Sequence, residues 1–224
     1  MWKVETVMDV RTGGERDGAR ERLLEAAARH FAEHGFEGAS QRAIQRDAAV
    51  NSAAAHYYFG SKEALYQEVI KTHLAGIQAE RQRRMDAISD EARGHDRLRA
   101  LVNAYIAPHM ELALSANGRP YGRILARVLI EPVKSADSVF DEIVSPLRER
   151  FVAELRELFP DASYVTISKM VSTTVILMAG VPYNTTWTAM TDEEQTQLSS
   201  HIWVEAVGRF ACAGIEALGG KLSA

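Results

Sequence analysis

Between Leu24 and Ile215 the apolar residues of this chain recur at three- and four-residue spacing, with no convincing alternation of period two that would demand a strand. Such a pattern buries its apolar surface helix against helix, so an all-α fold is expected. In residues 18–34, Leu24, Ala27, Ala28 and Phe31 share a stripe, and Gly35 supplies a stop. Ser40 is placed to cap a short helix over residues 41–48 with Ala43 and Ile44 inward, and a third short helix fits residues 52–59. Ser61 caps a fourth from Lys62, whose inward stripe is Leu65, Val69, Ile70, Leu74 and Ile77.

The charged stretch SDEARGHD breaks the pattern before a fifth helix with Leu98, Leu101, Val102, Tyr105 and His109 on one side. Pro120 opens another and Pro132 closes it. Ser145 and Pro146 read as a cap and a first-turn proline, followed by Leu147, Phe151, Leu155 and Leu158 as far as Pro160. Residues 165–181 are apolar nearly all round, which implies burial on several sides, one of which a partner chain can provide. A capping box from Thr191 to Glu194 opens the last helix, with Leu198, Ile202, Trp203, Val207, Phe210 and Ile215, ending at Gly219 and Gly220. Its small residues Ala206, Ala211, Ala213 and Gly214 leave room for another helix.

A length of 224 residues suits a small domain joined to a larger one. The net charge of -4 and pI near 6.0 exclude a coat of positive charge, so any nucleic-acid contact must use a local patch. Cys212, the single cysteine, permits no intrachain disulfide and reads as a small core or interface side chain. Residues 1–17 read as a loose arm without the apolar run of a signal peptide, and the apolar stretch 175–181 is too short to span a bilayer. A cytoplasmic protein is expected.

Two short helices a few residues apart have the dimensions of a helix-turn-helix, with the second available to a major groove. That second helix carries His56, Tyr57, Tyr58 and Phe59 in succession. Ala55 and Phe59 face inward together, leaving Ser52, Ala53, His56 and Tyr57 outward and Tyr58 at the edge. Outward rings with polar tips donate to phosphate oxygens, while small neighbours let the backbone approach the bases. The alternative is that Tyr57 and Tyr58 merely cover the core of a small subdomain. Lys62 has the wrong sign for the first turn of a helix, which a DNA phosphate would compensate, or which is tolerated at about a few tenths of a kcal/mol.

The run RERLLEAAARHFAEHGFEGASQRAIQRDAAVNSAAAHYYFGSKEALYQEVI resembles the DNA-binding domain of the tetracycline-repressor (TetR) family over residues 18–72. The family's A-x-x-x-F-x-x-x-G-[FY] is present as Ala27, Phe31, Gly35 and Phe36, and its Y-x-F-x-[ST]-K-E-x-L as Tyr57, Phe59, Ser61, Lys62, Glu63 and Leu65. The wording AVNSAAAHYYFGSKEALY is similar to a branch that includes the CecR-like regulators. The resemblance implies that Gln41 and Arg42 contact bases and backbone from the second helix. It implies further that Ser52, Ala53 and Ala54 lie toward base edges, with His56, Tyr57, Tyr58 and Lys62 near phosphates. Ala49 departs from the glycine usual in the family's turn, where a left-handed backbone would cost alanine about 1 kcal/mol.

Other chemistries fit less well. His30-Phe31-Ala32-Glu33-His34 matches the H-x-x-E-H pattern of some zinc peptidases, but Phe31 anchors the buried stripe and no clear downstream acid completes a metal triad. No G-x-S-x-G, P-loop or dinucleotide glycine pattern is present, so a helical enzyme or scaffold is the competing reading. A pocket between C-terminal helices would draw on Tyr105, His109, Arg123, Arg127, Met170, Thr174 and Met178, with Met110, Tyr183, Asn184 and Trp187 nearby in the pattern.

The expectation is therefore a regulator without cofactor or metal, partnered by double-stranded operator DNA, a small-molecule effector and a second copy of itself. Residues 1–17 form its arm, 18–72 its DNA-binding domain with the fourth helix continuing to about residue 84, and 85–224 its sensing and dimerisation domain. Residues 163–181 and 192–218 are the expected dimer face.

Overall fold

The computed structural model describes residues 10–115, 118–130, 133–180 and 200–223. Every regular element among them is a helix: α1 (Val10–Gly38), α2 (Gln41–Asp47), α3 (Ser52–Phe59), α4 (Lys62–Asp86), α5 (Gly94–Leu114), α6 (Arg119–Ile130), α7 (Lys134–Ile143), α8 (Ser145–Leu158), α9 (Tyr164–Gly180) and α10 (Ser200–Gly219). The chain divides into two compact units, Met1–Val69 and Ile70–Ala224, with α4 contributing to both.

In the first unit, Leu23, Ala26, Ala27, Ala28 and Phe31 of α1 are buried against Ile44 of α2 and Leu65, Tyr66 and Val69 of α4. Leu23 rather than Leu24 leads the stripe; Leu24 is half-buried at its margin. The expected arm is helical from Val10 onward. Gly35 breaks α1 with φ 70° and ψ 178°. Beyond that break Phe36 turns back, its ring 5.1 Å from Tyr66, which meets Phe31 edge-on at 4.9 Å.

The turn after α2 is closed by two crossed bonds, Ala49 N–H to Arg46 O at 3.1 Å and Val50 N–H to Gln45 O at 3.0 Å. This is the geometry that satisfies the last carbonyls of a helix when the residue after its cap is left-handed. Ala49 holds that position at φ 53°, the single non-glycine residue with positive φ among the described residues.

In the second unit α5 is the central element, packed against α6, α8, α9 and α10. Leu98, Leu101, Val102, Tyr105 and His109 are all buried, as the periodicity predicts. The Tyr105 ring stacks on Phe151 of α8, centroids 4.2 Å apart. Pro146 lies in the first turn of α8 as expected, but the cap position is Val144 and Ser145 is already helical, without a side-chain cap. Helix α7 is not predicted: reading Pro132 as the end of one helix and Ser145 as the start of the next leaves Lys134–Ile143 unassigned, although Val139 is fully buried. Burial pushes the Cys212 thiol up to about 11, so it is a packing group rather than a nucleophile. The capping box at Thr191–Glu194, Leu198, and Tyr183, Asn184 and Trp187 lie outside the described residues.

Ala49→Gly removes the Cβ clash of a left-handed alanine and is expected to stabilise the first unit by about 1 kcal/mol. Native-state amide exchange of α2 and α3 checks this; unchanged or faster exchange would contradict it.

Candidate nucleic-acid interface

Helix α3 has eight residues, none of them buried. Isolated helices so short do not persist in water, so its ends and its few inward contacts must hold it. At the start, Asn51 is the N-cap and its Oδ1 accepts from Ala54 N–H at 2.8 Å. At the finish, Gly60 N–H donates to His56 O at 2.8 Å and Ser61 N–H donates to Phe59 O at 2.7 Å. With φ 70° and ψ -56° at Gly60, the latter closes a γ-turn, a conformation a Cβ would strain. Chain direction thus reverses between α3 and α4 within two residues.

The faces of α3 divide as the spacing predicts. Ala55 and Phe59 are half-buried, with the Arg20 guanidinium of α1 5.5 Å over the Phe59 ring. Ser52, Ala53, His56 and Tyr57 are exposed, Tyr57 to 78 %. Ala54 and Tyr58 are intermediate, and the Tyr58 ring meets Tyr57 edge-on at 5.5 Å. Gln41 and Arg42, in the first turn of α2, are exposed as well. A hollow of about 100 Å³ separates the two helices and is lined by Gln41, Ser52, Ala55, His56 and Phe59, among others. Of the predicted DNA-facing residues, Gln41, Ser52 and His56 border this groove, whereas Arg42, Ala53, Ala54, Tyr57 and Tyr58 are not among its lining.

Lys62 differs from the simplest expectation. Its Nζ donates to Glu37 O at 3.2 Å, at the end of α1, and lies 4.8 Å from the centre of the Phe36 ring. A lysine set against the dipole of its own helix is thus favourably placed at the negative end of another. The start of α4 is also capped from within: Ser61 Oγ accepts from Ala64 N–H at 3.1 Å. The Glu63 carboxyl is held below its ordinary range by its own backbone N–H and then by Ser61. The placement of Lys62 therefore has an internal explanation and does not by itself call for a phosphate.

Two exposed arginines stand one turn apart on α2, Arg42 and Arg46. The sequence reading passes over Arg46, although its i+4 spacing from Arg42 is the signal for a shared face. Arg46 Nε lies 3.5 Å from Asp47 Oδ1. Asp47 in turn bonds His30 Nε2 at 2.7 Å, and this hydrogen bond is the first cause of its lowered pKa. His30 of the H-x-x-E-H pattern is thereby engaged in tying α1 to the end of α2. Among the described residues no group of three or more His, Cys, Asp or Glu side chains is placed to hold a metal ion.

The predicted pocket residues separate. Tyr105, His109 and Met178 line a cavity of about 400 Å³ in the second unit, between α4, α5, α6, α7, α8 and α9. Met170 belongs to the packed core, and Thr174 Oγ1 donates to Met170 O at 2.8 Å within its own helix. Arg123 and Arg127 are half-buried on α6 and are not among the residues lining that cavity. Arg81, absent from the sequence reading, is a lining residue. The signal was available, since Arg81 continues the inward stripe Ile70, Leu74, Ile77 of α4.

Two short capped helices joined by a tight turn and packed on a third define a helix-turn-helix unit, followed in the chain by a larger helical unit. Residues 23–69 match bacterial regulatory proteins of the tetR family, and residues 103–214, half of the chain, match the tetracyclin repressor-like C-terminal domain. The chain belongs to the TetR family. It is 41 % identical over 59 residues to the HTH-type transcriptional repressor AcnR of Corynebacterium efficiens, covering 26 % of this chain and 31 % of that protein. To the HTH-type transcriptional repressor NicS of Pseudomonas putida it is 34 % identical over 98 residues, covering 43 % and 46 % respectively. The matched stretches thus span less than half the length of these relatives. The structure of the regulator FadR from Bacillus subtilis in complex with stearoyl-CoA is similar in fold, with a TM-score of 0.62 at 15 % identity over 87 % of this chain and 98 % of that one.

Removing the cap with Asn51→Ala is expected to cost about 1 kcal/mol of local stability at the start of α3. Amide exchange should accelerate at Ala54 and Ala55 while α5 remains unchanged; uniform acceleration would contradict a local cap.

Proposed function

We propose that this protein is a DNA-binding transcriptional regulator, a ligand-responsive repressor that grips a palindromic operator as a homodimer, rather than an enzyme. The observation that carries the reading is the outward face of α3, where Ser52, Ala53, His56 and Tyr57 stand exposed on a helix that buries none of its residues. A helix held at both ends with small residues and polar-tipped rings outward is suited to enter a major groove. In this reading Ser52, Ala53 and Ala54 approach base edges, and Gln41 and Arg42 reach bases and backbone from α2. His56, Tyr57 and Tyr58 donate to phosphates. Lys62 joins them, since an ammonium has three donors and one is used on Glu37 O. Arg46 adds a second cation to the α2 edge. This local set supplies the positive patch that the overall charge of -4 does not.

Support for repression comes from the two relatives described as transcriptional repressors. The stearoyl-CoA complex of a protein of like fold supports a small-molecule effector, as does the cavity of the second unit. For the homodimer the support is a surface: Tyr164, Val165 and Ile176 on α9 and Ile202, Phe210 and Leu218 on α10 are exposed. On α10, Ile202, Ala206, Phe210 and Gly214 repeat every fourth residue, an apolar stripe with small members that admits a close second helix. Two recognition helices related by a two-fold axis read a palindrome that one short helix cannot.

Selection of bound sequences from random duplex DNA tests the central claim, with a palindromic site and steep salt dependence expected. Failure to enrich any sequence at low salt would defeat it. On the selected site, Arg42→Ala is expected to relax preference at one base position by about 1–3 kcal/mol. Lys62→Met should weaken all sequences alike and reduce the salt slope by about 1. Phe210→Glu places a charge on the α10 stripe and should give monomers where the wild type sediments as a dimer, with operator affinity reduced by roughly tenfold or more.

A further inference from the structure

The cavity of the second unit contains a charge with no counter-charge among the described residues. Arg81 is 3 % exposed and sits on the inward stripe of α4. Its Nε donates to Tyr105 O at 2.6 Å, one terminal nitrogen donates to Gln78 Oε1 at 3.1 Å, and the other lies 3.0 Å from Met178 Sδ. The guanidinium also covers the Tyr105 ring at 4.2 Å. No carboxylate among the described residues is paired with it; its pKa is lowered by burial, and the interaction opposing that is with Tyr105. A guanidinium has five N–H donors, so each terminal nitrogen keeps one with no partner among the described residues, and one of its present acceptors is a weak thioether.

His109 stands in the same cavity, 2 % exposed, with Nε2 lacking a hydrogen-bond partner among the described residues. Burial and then the charge of Arg81 hold its pKa down to about 3, so the ring is neutral. Around these two groups the wall is largely hydrocarbon, including Leu74, Ile77, Leu125, Phe140, Val171 and Val175, with Ser172 and Arg148 exposed at its edge. A buried cation is destabilising unless an anion meets it, and so is a buried ring nitrogen left unbonded. A single ligand group relieves both.

We propose that this cavity takes a small molecule bearing a carboxylate on a largely apolar body, the carboxylate bound by Arg81 beside Nε2 of His109 and the body lying against the hydrocarbon wall. The proposal rests on reading the second unit as the effector-binding unit and names the class of effector. A carboxylate uses the two open N–H groups of Arg81, and the neutral imidazole adds a donor in the tautomer protonated at Nε2. A phosphate is less suited, since its second charge and further oxygens have no second buried cation; Arg148, the other cation lining the cavity, is exposed. An amine is repelled outright.

The test is calorimetric titration of the full-length protein with two matched series, octanoate, octanol and octylamine, and phenylbutyrate, phenylbutanol and phenylbutylamine. The expected result is that in at least one series the carboxylate binds at least about tenfold more tightly than the alcohol, with the amine weakest. Arg81→Met should bring that carboxylate to the level of its alcohol. If Arg81→Met does not fold, the wild-type series alone decides. Alcohols that bind as tightly as the carboxylates would overturn the role of Arg81 while leaving an apolar effector site in place. Absence of binding by both carboxylates, or an unchanged carboxylate preference in folded Arg81→Met, would also overturn it. None of these results bears on operator binding, which the DNA selection decides separately.

Discussion

The helix-turn-helix unit of this protein depends on a helix that cannot hold itself. Helix α3 is too short to persist alone and buries no residue fully, so its orientation comes from two turns and two inward side chains. The left-handed Ala49 and the Asn51 cap fix where it begins; the γ-turn at Gly60 fixes where it ends. Ala55 and Phe59 then decide which face is outward. The same economy leaves Ser52, Ala53, His56 and Tyr57 available, because residues spent on burial could not also reach a groove. That Ala49 stands where glycine would be less strained means the turn is kept by its hydrogen bonds and neighbours against a local preference.

Much of this was legible in the sequence, because periodicity and capping are local. The facing of α3 follows from Ala55 and Phe59 being four apart, and the stripe of α4 from Leu65 through Ile77 is buried throughout. What was not legible required knowing which elements meet. The bond from Lys62 to Glu37 O joins residues whose proximity depends on the break at Gly35. Helix α7 went unseen because the prolines on either side had already been given to other elements, although Val139, Phe140 and Ile143 keep a helical spacing. The two sites differ in the same way. The groove between α2 and α3 is built mostly from neighbours in sequence, whereas the cavity of the second unit draws on six helices, so only Tyr105, His109 and Met178 of its lining were named as pocket residues in advance.

Arg81 shows how a charge misleads when only its type is considered. In a run containing Glu80, Arg83 and Arg84 it looks like one more solvated residue, and its neighbours do behave that way: Glu80 pairs with both Arg83 and Arg84, and Arg84 with Glu111. Position, not type, sets Arg81 apart, because the inward period of α4 falls on it. A buried arginine without a carboxylate contributes nothing obvious to stability; an apolar side chain of its volume would serve packing as well or better. On the proposal above, the partner of this charge arrives from outside.

The same imbalance bears on regulation. Helix α4 belongs to both units, carrying Lys62 in one and Arg81 in the other. An effector alters operator affinity only through the difference between its affinities for the two states of the protein, however tightly it binds overall. Apolar contacts with the cavity wall supply that difference only where packing changes, and they carry no directional preference of their own. An ion pair at a buried guanidinium is a better source, because its strength falls steeply with misalignment in a medium of low polarity. The apolar body of the ligand would therefore set how tightly it binds, and its meeting with Arg81 would set how far binding biases α4 and, through it, the hold on DNA.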